Sequence, residues 1–374
     1  MLQKALVLVF VAASVAGCIG CGSTSSHYVY AAIPAASQII AYREDPNSGV
    51  LTQISGSPYS VGEGAISLVL HPSGKFLYVA NPGIGGTAED DISLFTIASN
   101  GVLTEVTPRT PLGASASQPE LLVMDPAGAF LYVMNISTGL GNISVFSIDS
   151  GTGALSQVLG SPFSIGLPPL NMRLTPSGDF LYVSVAGGVA GSNNGSVAAF
   201  SVNGGALTLV GLTSTDGVNP YGLAIDASGT HLYAGNNAGA SSSIAVFTIG
   251  SSGTLTPVQG SPINNTFSNP LAMIFDPSGK YLYVANQGSN NVAAYSIASG
   301  GLPAALTSST TTNAFGTESS PSFLVADTTG KYLFVGNQGS SAGIQGFSVS
   351  NGSLTALSTY GTGNTPNSIV VLGK

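Results

Sequence analysis

The chain has 374 residues, of which 44% are hydrophobic and only 6% charged, with 50 glycines and a formal charge of −8. A typical globular domain carries about 25% charged residues, so ion pairing is excluded as the organiser of this fold, and the acidic balance excludes a phosphate backbone as partner. Val, Ile, Leu, Phe and Tyr recur throughout, which excludes the low-hydrophobicity class of disordered chains.

The N-terminus reads as an export signal. Lys4 precedes an apolar stretch, and LVLVFVAASVAGC ends in small residues and a cysteine, a run too short to span a bilayer as a helix. Val15-Ala16-Gly17-Cys18 resembles the bacterial lipobox, which implies a signal peptide over 1–17 and a diacylglycerol on Cys18. Cys21 is the other candidate acceptor, and with no further cysteine in the chain no disulfide is expected in the mature domain. Residues 18–27 are read as a flexible tether that includes His27. The expected location is the outer membrane or cell surface, periplasmic or extracellular, with the membrane reached through the lipid.

From there on the chain repeats. HPSGKFLYVAN at His71 returns as DPAGAFLYVMN at Asp125, TPSGDFLYVSV at Thr175, DASGTHLYAGN at Asp226, DPSGKYLYVAN at Asp276 and DTTGKYLFVGN at Asp327, at spacings of 54, 50, 51, 50 and 51. An Asx-type cap, a proline and a positive-φ glycine set a turn, and the β-rich residues after them start a strand. These aspartates and glycines are turn chemistry. Each copy is followed by an alternating strand with an aromatic at one place: ISLFTI (92), ISVFSI (143), VAAFSV (197), IAVFTI (244), VAAYSI (292) and IQGFSV (344), with IIAYRE (39) ahead of them all. Next comes a glycine turn into a short strand, at Gly49, Gly101, Gly153, Gly205, Gly253, Gly301 and Gly352.

Before each proline turn lies one more apolar strand, starting at Ile66, Glu120, Leu170, Tyr221, Leu271 and Ser322, and its seventh member is NSIVV from Asn367 at the C-terminus. The N-terminal unit lacks this strand, so the tail is expected to supply it and close the ring. The predicted fold is all-β over 28–374, a single seven-bladed β-propeller of four-stranded antiparallel blades, closed by pairing of the C-terminal strand with the N-terminal blade.

The PxGKxLYVAN and V-x-x-Y/F-x-I pattern resembles the seven-bladed lactonase family of 6-phosphogluconolactonase-like and YVTN-repeat proteins over about residues 28–372. There is no tryptophan, which sets the chain apart from WD and quinoprotein propellers. The resemblance implies hydrolysis of a small sugar-derived lactone. It also implies Pro-Arg-His at some inner strands, and these places read Pro119-Glu120-Leu121, Pro169-Leu170-Asn171, Pro220-Tyr221-Gly222, Pro270-Leu271-Ala272 and Pro321-Ser322-Phe323. No catalytic residue carries over. The other reading is a non-catalytic cell-envelope propeller that presents a polar face to a glycan or protein.

Lactone hydrolysis needs a base for water and a donor for the developing oxyanion. Loops entering the first strand and leaving the second should share one face. They would gather Glu63, Glu120, Asn171, Tyr221, Asn269, Glu318 and Asn367 as ligand-facing groups, with Asn81, Asn135, Asn236, Asn286 and Asn337 beside them. Arg173 stands where the other inner strands have Val69, Val123, Ala224, Ile274, Val325 and Val370. An unpaired buried charge is costly, so Arg173 is expected at the channel mouth meeting a carboxylate of substrate or of Glu120, either as the candidate catalytic pair or as a structural ion pair that plugs the channel. His71 is assigned to a turn and His231 to a strand start, both structural. Glu89-Asp90-Asp91 is read as a solvated loop. No cofactor or metal is expected, and the chain is taken as a monomer.

Overall fold

The computed structural model describes residues 26–83, 90–113, 118–137, 140–188, 194–239, 242–306 and 313–373. The expected signal segment, Cys18, Cys21 and Glu89 lie outside them. The described residues form seven antiparallel blades arranged in a ring. Blade 2, for example, runs from inner to outer edge through Ser67–Leu70, Phe76–Asn81, Asp91–Ile97 and Leu103–Pro111. Blades 3 to 7 repeat it from Pro119, Pro169, Pro220, Pro270 and Pro321.

Blade 1 is made from both ends of the chain. Its outer three strands are His27–Ile33, Gln38–Glu44 and Leu51–Gln53, and its inner strand is Ser368–Gly373. His27 pairs with Gly373 and Ala32 with Ser368 in an antiparallel ladder, so the tail closes the ring and leaves the first strand no open edge. His27, expected in the tether, is instead the first residue of that strand and only 2% exposed. His27 pairs with Glu44 on one side and Gly373 on the other, and the second partner lies too far along the chain to mark where the strand starts.

The LYV segments become the second strand of each blade, covered on both faces by neighbouring blades. Tyr30, Tyr78, Tyr132, Tyr182, Tyr233 and Tyr283 are fully buried at one position of it, each contributing on the order of 2 kcal/mol of apolar burial. The turn chemistry ahead of them is as expected: Asp125 Oδ1 accepts from Phe130 N at 2.6 Å, Asp276 Oδ1 from Tyr281 N at 2.8 Å, and Gly128 and Gly279 hold positive φ. His71 and His231 are built into the same turns, His71 Nε2 donating to Gly128 O at 2.9 Å and His231 Nδ1 lying 2.9 Å from Asp226 Oδ2.

The glycine turn between third and fourth strands has a packing role beyond its φ. Gly101 at φ +81° lies against the ring of Tyr28 in blade 1, and a Cβ there would overlap the ring. Gly49 in blade 1 meets Tyr332 of blade 7 in the same way, so the contact that joins consecutive blades also joins the last to the first.

Candidate functional site at the inner-strand mouth

Each inner strand from blade 3 onward starts just after a loop residue, and four of these residues hold a left-handed backbone without being glycine: Gln118, Asn219, Asn269 and Ser320, at φ between 46° and 58°. Such backbone is uncommon outside glycine and collects at functional sites. Their carbonyls accept from the loop that leaves the second strand of the same blade: Ile136 N to Gln118 O at 2.9 Å, Asn237 N to Asn219 O at 3.1 Å, Gln287 N to Asn269 O at 2.9 Å and Gln338 N to Ser320 O at 2.9 Å. The two loop sets therefore share one face, as the repeats suggested.

The amides of Asn81, Asn135, Asn236, Asn286 and Asn337 do not present themselves on that face. They end the second strands, are at most 1% exposed, and turn inward. Asn81 Nδ2 donates to Asp91 Oδ1 at 2.6 Å and Ser93 Oγ at 3.0 Å, Asn135 Nδ2 to Asn142 Oδ1 and Ser144 Oγ, Asn236 Nδ2 to Ser243 Oγ, and Asn286 Nδ2 to Asn291 Oδ1. The first four bridge second and third strands through Nδ2 where the ladder ends, Asn337 Nδ2 donates to Val335 O of its own strand, and the Oδ1 atoms of Asn81, Asn135, Asn236 and Asn337 are buried without a partner among the described residues. Asp90 and Asp91, expected in a solvated loop, are also engaged: Asp90 Oδ2 accepts from Gln118 N at 3.0 Å, and Asp91 starts a strand.

The residues left at the mouth differ in how free they are. Asn171 is committed at both ends, with Nδ2 donating to Tyr221 O at 2.8 Å and Oδ1 accepting from Arg173 Nη1 at 3.1 Å. Asn367 Oδ1 accepts from Gln338 Nε2 at 2.7 Å. Asn269 Oδ1 is buried with no partner among the described residues. Glu63 is exposed, and Glu318 is half-buried with its backbone N–H donating to Gln345 Oε1 at 2.9 Å. Glu120 is half-buried on the second residue of its strand, and burial raises its carboxyl above the usual range.

Arg173 and Glu120 do not meet. Arg173 is the fifth residue of its inner strand and Glu120 the second of the neighbouring one, so they are offset by three residues, about 10 Å along the channel. Arg173 lines a cavity of about 370 Å³ with Val123, Ala224 and Ile274 and with the turn prolines Pro126 and Pro176. That cavity lies toward the opposite end of the inner strands from Glu120, and no carboxylate lines it. The guanidinium donates through Nη1 to Asn171 Oδ1 and Met172 O, forms no ion pair among the described residues, and desolvation pulls its pKa down to about 10.

The repeat pattern and ring find their counterpart among known proteins. The profile of the family "Lactonase, 7-bladed beta-propeller" matches residues 25–168, 170–241 and 225–313. The chain belongs to this lactonase family. It is 26% identical over 255 residues to a "Probable 6-phosphogluconolactonase" of Arthroderma benhamiae, covering 63% of this chain and 62% of that one. It is 31% identical over 179 residues to the 6-phosphogluconolactonase of Sodalis glossinidius, covering 46% and 50%. The chain thus matches between half and two thirds of the length of these curated relatives. Among solved structures, the lactonase ring superposes on the periplasmic gluconolactonase of Pseudomonas aeruginosa with a TM-score of 0.74 at 17% identity, covering 93% of this chain and 99% of that one. A protein from Lactobacillus plantarum gives 0.73 at 18% identity, covering 93% and 99%. At such identities the likeness concerns the fold. No helix among the described residues is long and apolar enough to cross a membrane.

Proposed function

We propose that this lactonase-family protein is an exported hydrolase of a small sugar-derived lactone, bound where the inner strands begin, with Glu120 as general base. One observation carries the reading. The second residues of the seven inner-strand segments are Ile66, Glu120, Leu170, Tyr221, Leu271, Ser322 and Asn367, and the single carboxylate among them is the one that burial shifts toward neutral pH, as a base working there requires. Glu120 takes a proton from water as the water oxygen bonds to the lactone carbonyl. The Tyr221 hydroxyl donates to the developing oxyanion, the ring C–O bond breaks, and the proton passes to the departing ring oxygen to give the hydroxy acid. Family membership and the names of the curated relatives support the substrate class.

The lipobox-like run ending at Cys18 supports a lipid anchor, and the periplasmic origin named for the Pseudomonas protein is in keeping with export. The working unit is taken as a monomer without a cofactor. The test is hydrolysis of glucono-lactones with and without a 6-phosphate. Glu120→Gln is expected to lower kcat/KM by about 10²–10⁴, and hydrolysis by that variant at the native rate would remove the proposal. A second reading, a non-catalytic envelope propeller that binds a glycan or protein, is favoured by one feature: the inner strands lack Pro-Arg-His, and none of the seven mouth residues is a lysine or arginine. Saturable binding of a sugar without turnover by the native chain would select it.

A further inference from the structure

The joint between blade 1 and blade 7 holds a buried group that has no counterpart among the described residues of the other blades. His27 and Glu44 face each other across the ladder of blade 1, and Asp327 reaches them from the turn of blade 7. His27 Nδ1 lies 3.5 Å from Glu44 Oε2 and 3.9 Å from Asp327 Oδ2, and one donor atom from each residue lies within 4.8 Å of the others. His27 is 2% exposed, and Glu44 and Asp327 0%. His27 Nδ1 and both oxygens of Glu44 have no hydrogen-bond partner among the described residues. Asp327 is held in place by its turn, Oδ1 accepting from Tyr332 N at 2.8 Å and Oδ2 from Thr329 N at 3.0 Å.

The other blades supply an internal comparison. The ladder position of Glu44 is filled by Ile97, Ile148, Val202, Ile249, Ile297 and Val349, and that of His27 by Lys75, Ala129, Asp179, Thr230, Lys280 and Lys331, all six exposed. So an apolar place became a buried carboxylate in the one blade assembled from both chain ends, beside a buried imidazole and a second carboxylate. Two carboxylates this close in a dry site repel each other unless a positive charge lies between them. Buried polar atoms without partners cost about 1–3 kcal/mol each, and a cation removes that cost at a stroke.

We infer that His27, Glu44 and Asp327 form a structural site for a divalent transition cation of the zinc class, which ties blade 1 to blade 7 at the ring closure. One imidazole with carboxylates suits zinc, whereas calcium prefers an all-oxygen shell. At zinc bond lengths tetrahedral donors stand roughly 3.4 Å apart, close to the two separations from His27. Glu44 Oε2, His27 Nδ1 and Asp327 Oδ2 supply three corners of that tetrahedral shell, since the two oxygens of one carboxylate stand too close together to take two of them, and the fourth corner is left for water.

The test uses the untagged full chain, stripped with a chelator and titrated with Zn²⁺, reading bound metal after desalting and the thermal unfolding midpoint. One zinc per chain is expected at this site, with a rise in Tm on the order of 5 °C. Cys18 and Cys21 are further zinc ligands in principle, so the readout is the difference from Glu44→Ile, which carries the residue of the sister blades. It should fold and lose that equivalent of zinc together with the zinc-dependent Tm rise. Asp327→Asn, which keeps an acceptor for the turn, should weaken zinc at least tenfold. Equal zinc uptake by native chain and Glu44→Ile, a native Tm indifferent to zinc, or a response to calcium in place of zinc would each overturn the inference.

Discussion

The phenol of Tyr182 in blade 4 donates to the backbone carbonyl of Gly253 in blade 5 at 2.9 Å, both groups being buried. Tyr30 to Gly101, Tyr78 to Gly153 and Tyr233 to Gly301 repeat the bond between other neighbouring blades. Tyr132 and Tyr283 occupy the same position with hydroxyls that have no partner among the described residues. Tyr182→Phe leaves a buried carbonyl without its donor and should destabilise by about 1–3 kcal/mol, while Tyr283→Phe should be neutral or slightly stabilising. The contrast is read as a shift in urea midpoint at constant m-value, and equal shifts in the two variants would contradict it.

Ring closure rests on the ladder between His27–Ile33 and Ser368–Gly373. Ending the chain after Pro366 should abolish the native near-UV CD signal and give aggregates on size exclusion, since it uncovers one edge of blade 1. Ile369, 1% exposed and packed with Val29 and Phe334, offers a milder probe. Ile369→Ala should cost about 2–5 kcal/mol.

The Glu120 carboxyl is raised by burial, so the folded chain holds this proton at a pH where the unfolded chain has lost it. Its contribution to stability is full below the ordinary glutamate value and is lost as pH rises through the raised one. Lactone hydrolysis should follow the opposite course over the same window, rising as the carboxylate forms. Glu120→Gln should remove both dependences, and a pH–rate profile unchanged in that variant would mean that another group is the base.

Arg173 is separated from Glu120 along the channel and has no ion-pair partner among the described residues. An apolar side chain of similar length removes the desolvation cost of a lone cation together with its hydrogen bonds to Asn171 Oδ1 and Met172 O, and the two effects oppose each other. Arg173→Met should therefore change unfolding free energy by no more than about 1 kcal/mol and leave lactone hydrolysis close to native. A large loss of kcat with KM unchanged would instead return Arg173 to the chemistry.

Blade number, strand order and closure were legible in the sequence because every strand is marked by its own repeat, and the missing inner strand of the N-terminal unit had one possible donor at Asn367. The sites were less legible. Strand-end asparagines such as Asn81 and Asn286 look the same on paper whether they face solvent or bridge two strands, and which they do depends on a polar partner at the start of the third strand, Asp91 or Asn291. Arg173 was recognised as exceptional by comparison across blades. Its place relative to Glu120 follows from counting residues from the prolines that begin their strands. The same comparison applied to IIAYRE would have shown Glu44 where six blades have isoleucine or valine.

Because the strand that completes blade 1 runs to Gly373, the sheet begun at His27 waits for blades 2 to 7 to be made before it can be finished. Such a connection, spanning roughly 340 residues, is among the slowest kinds to form. Blades 2 to 7 are each contiguous in sequence and are able to assemble as they emerge, so an arc of six blades should precede the finished circle in time. Until the last strand arrives, one face of the arc offers an unpaired strand, and a chaperone that shields a single exposed edge would have that brief interval in which to act.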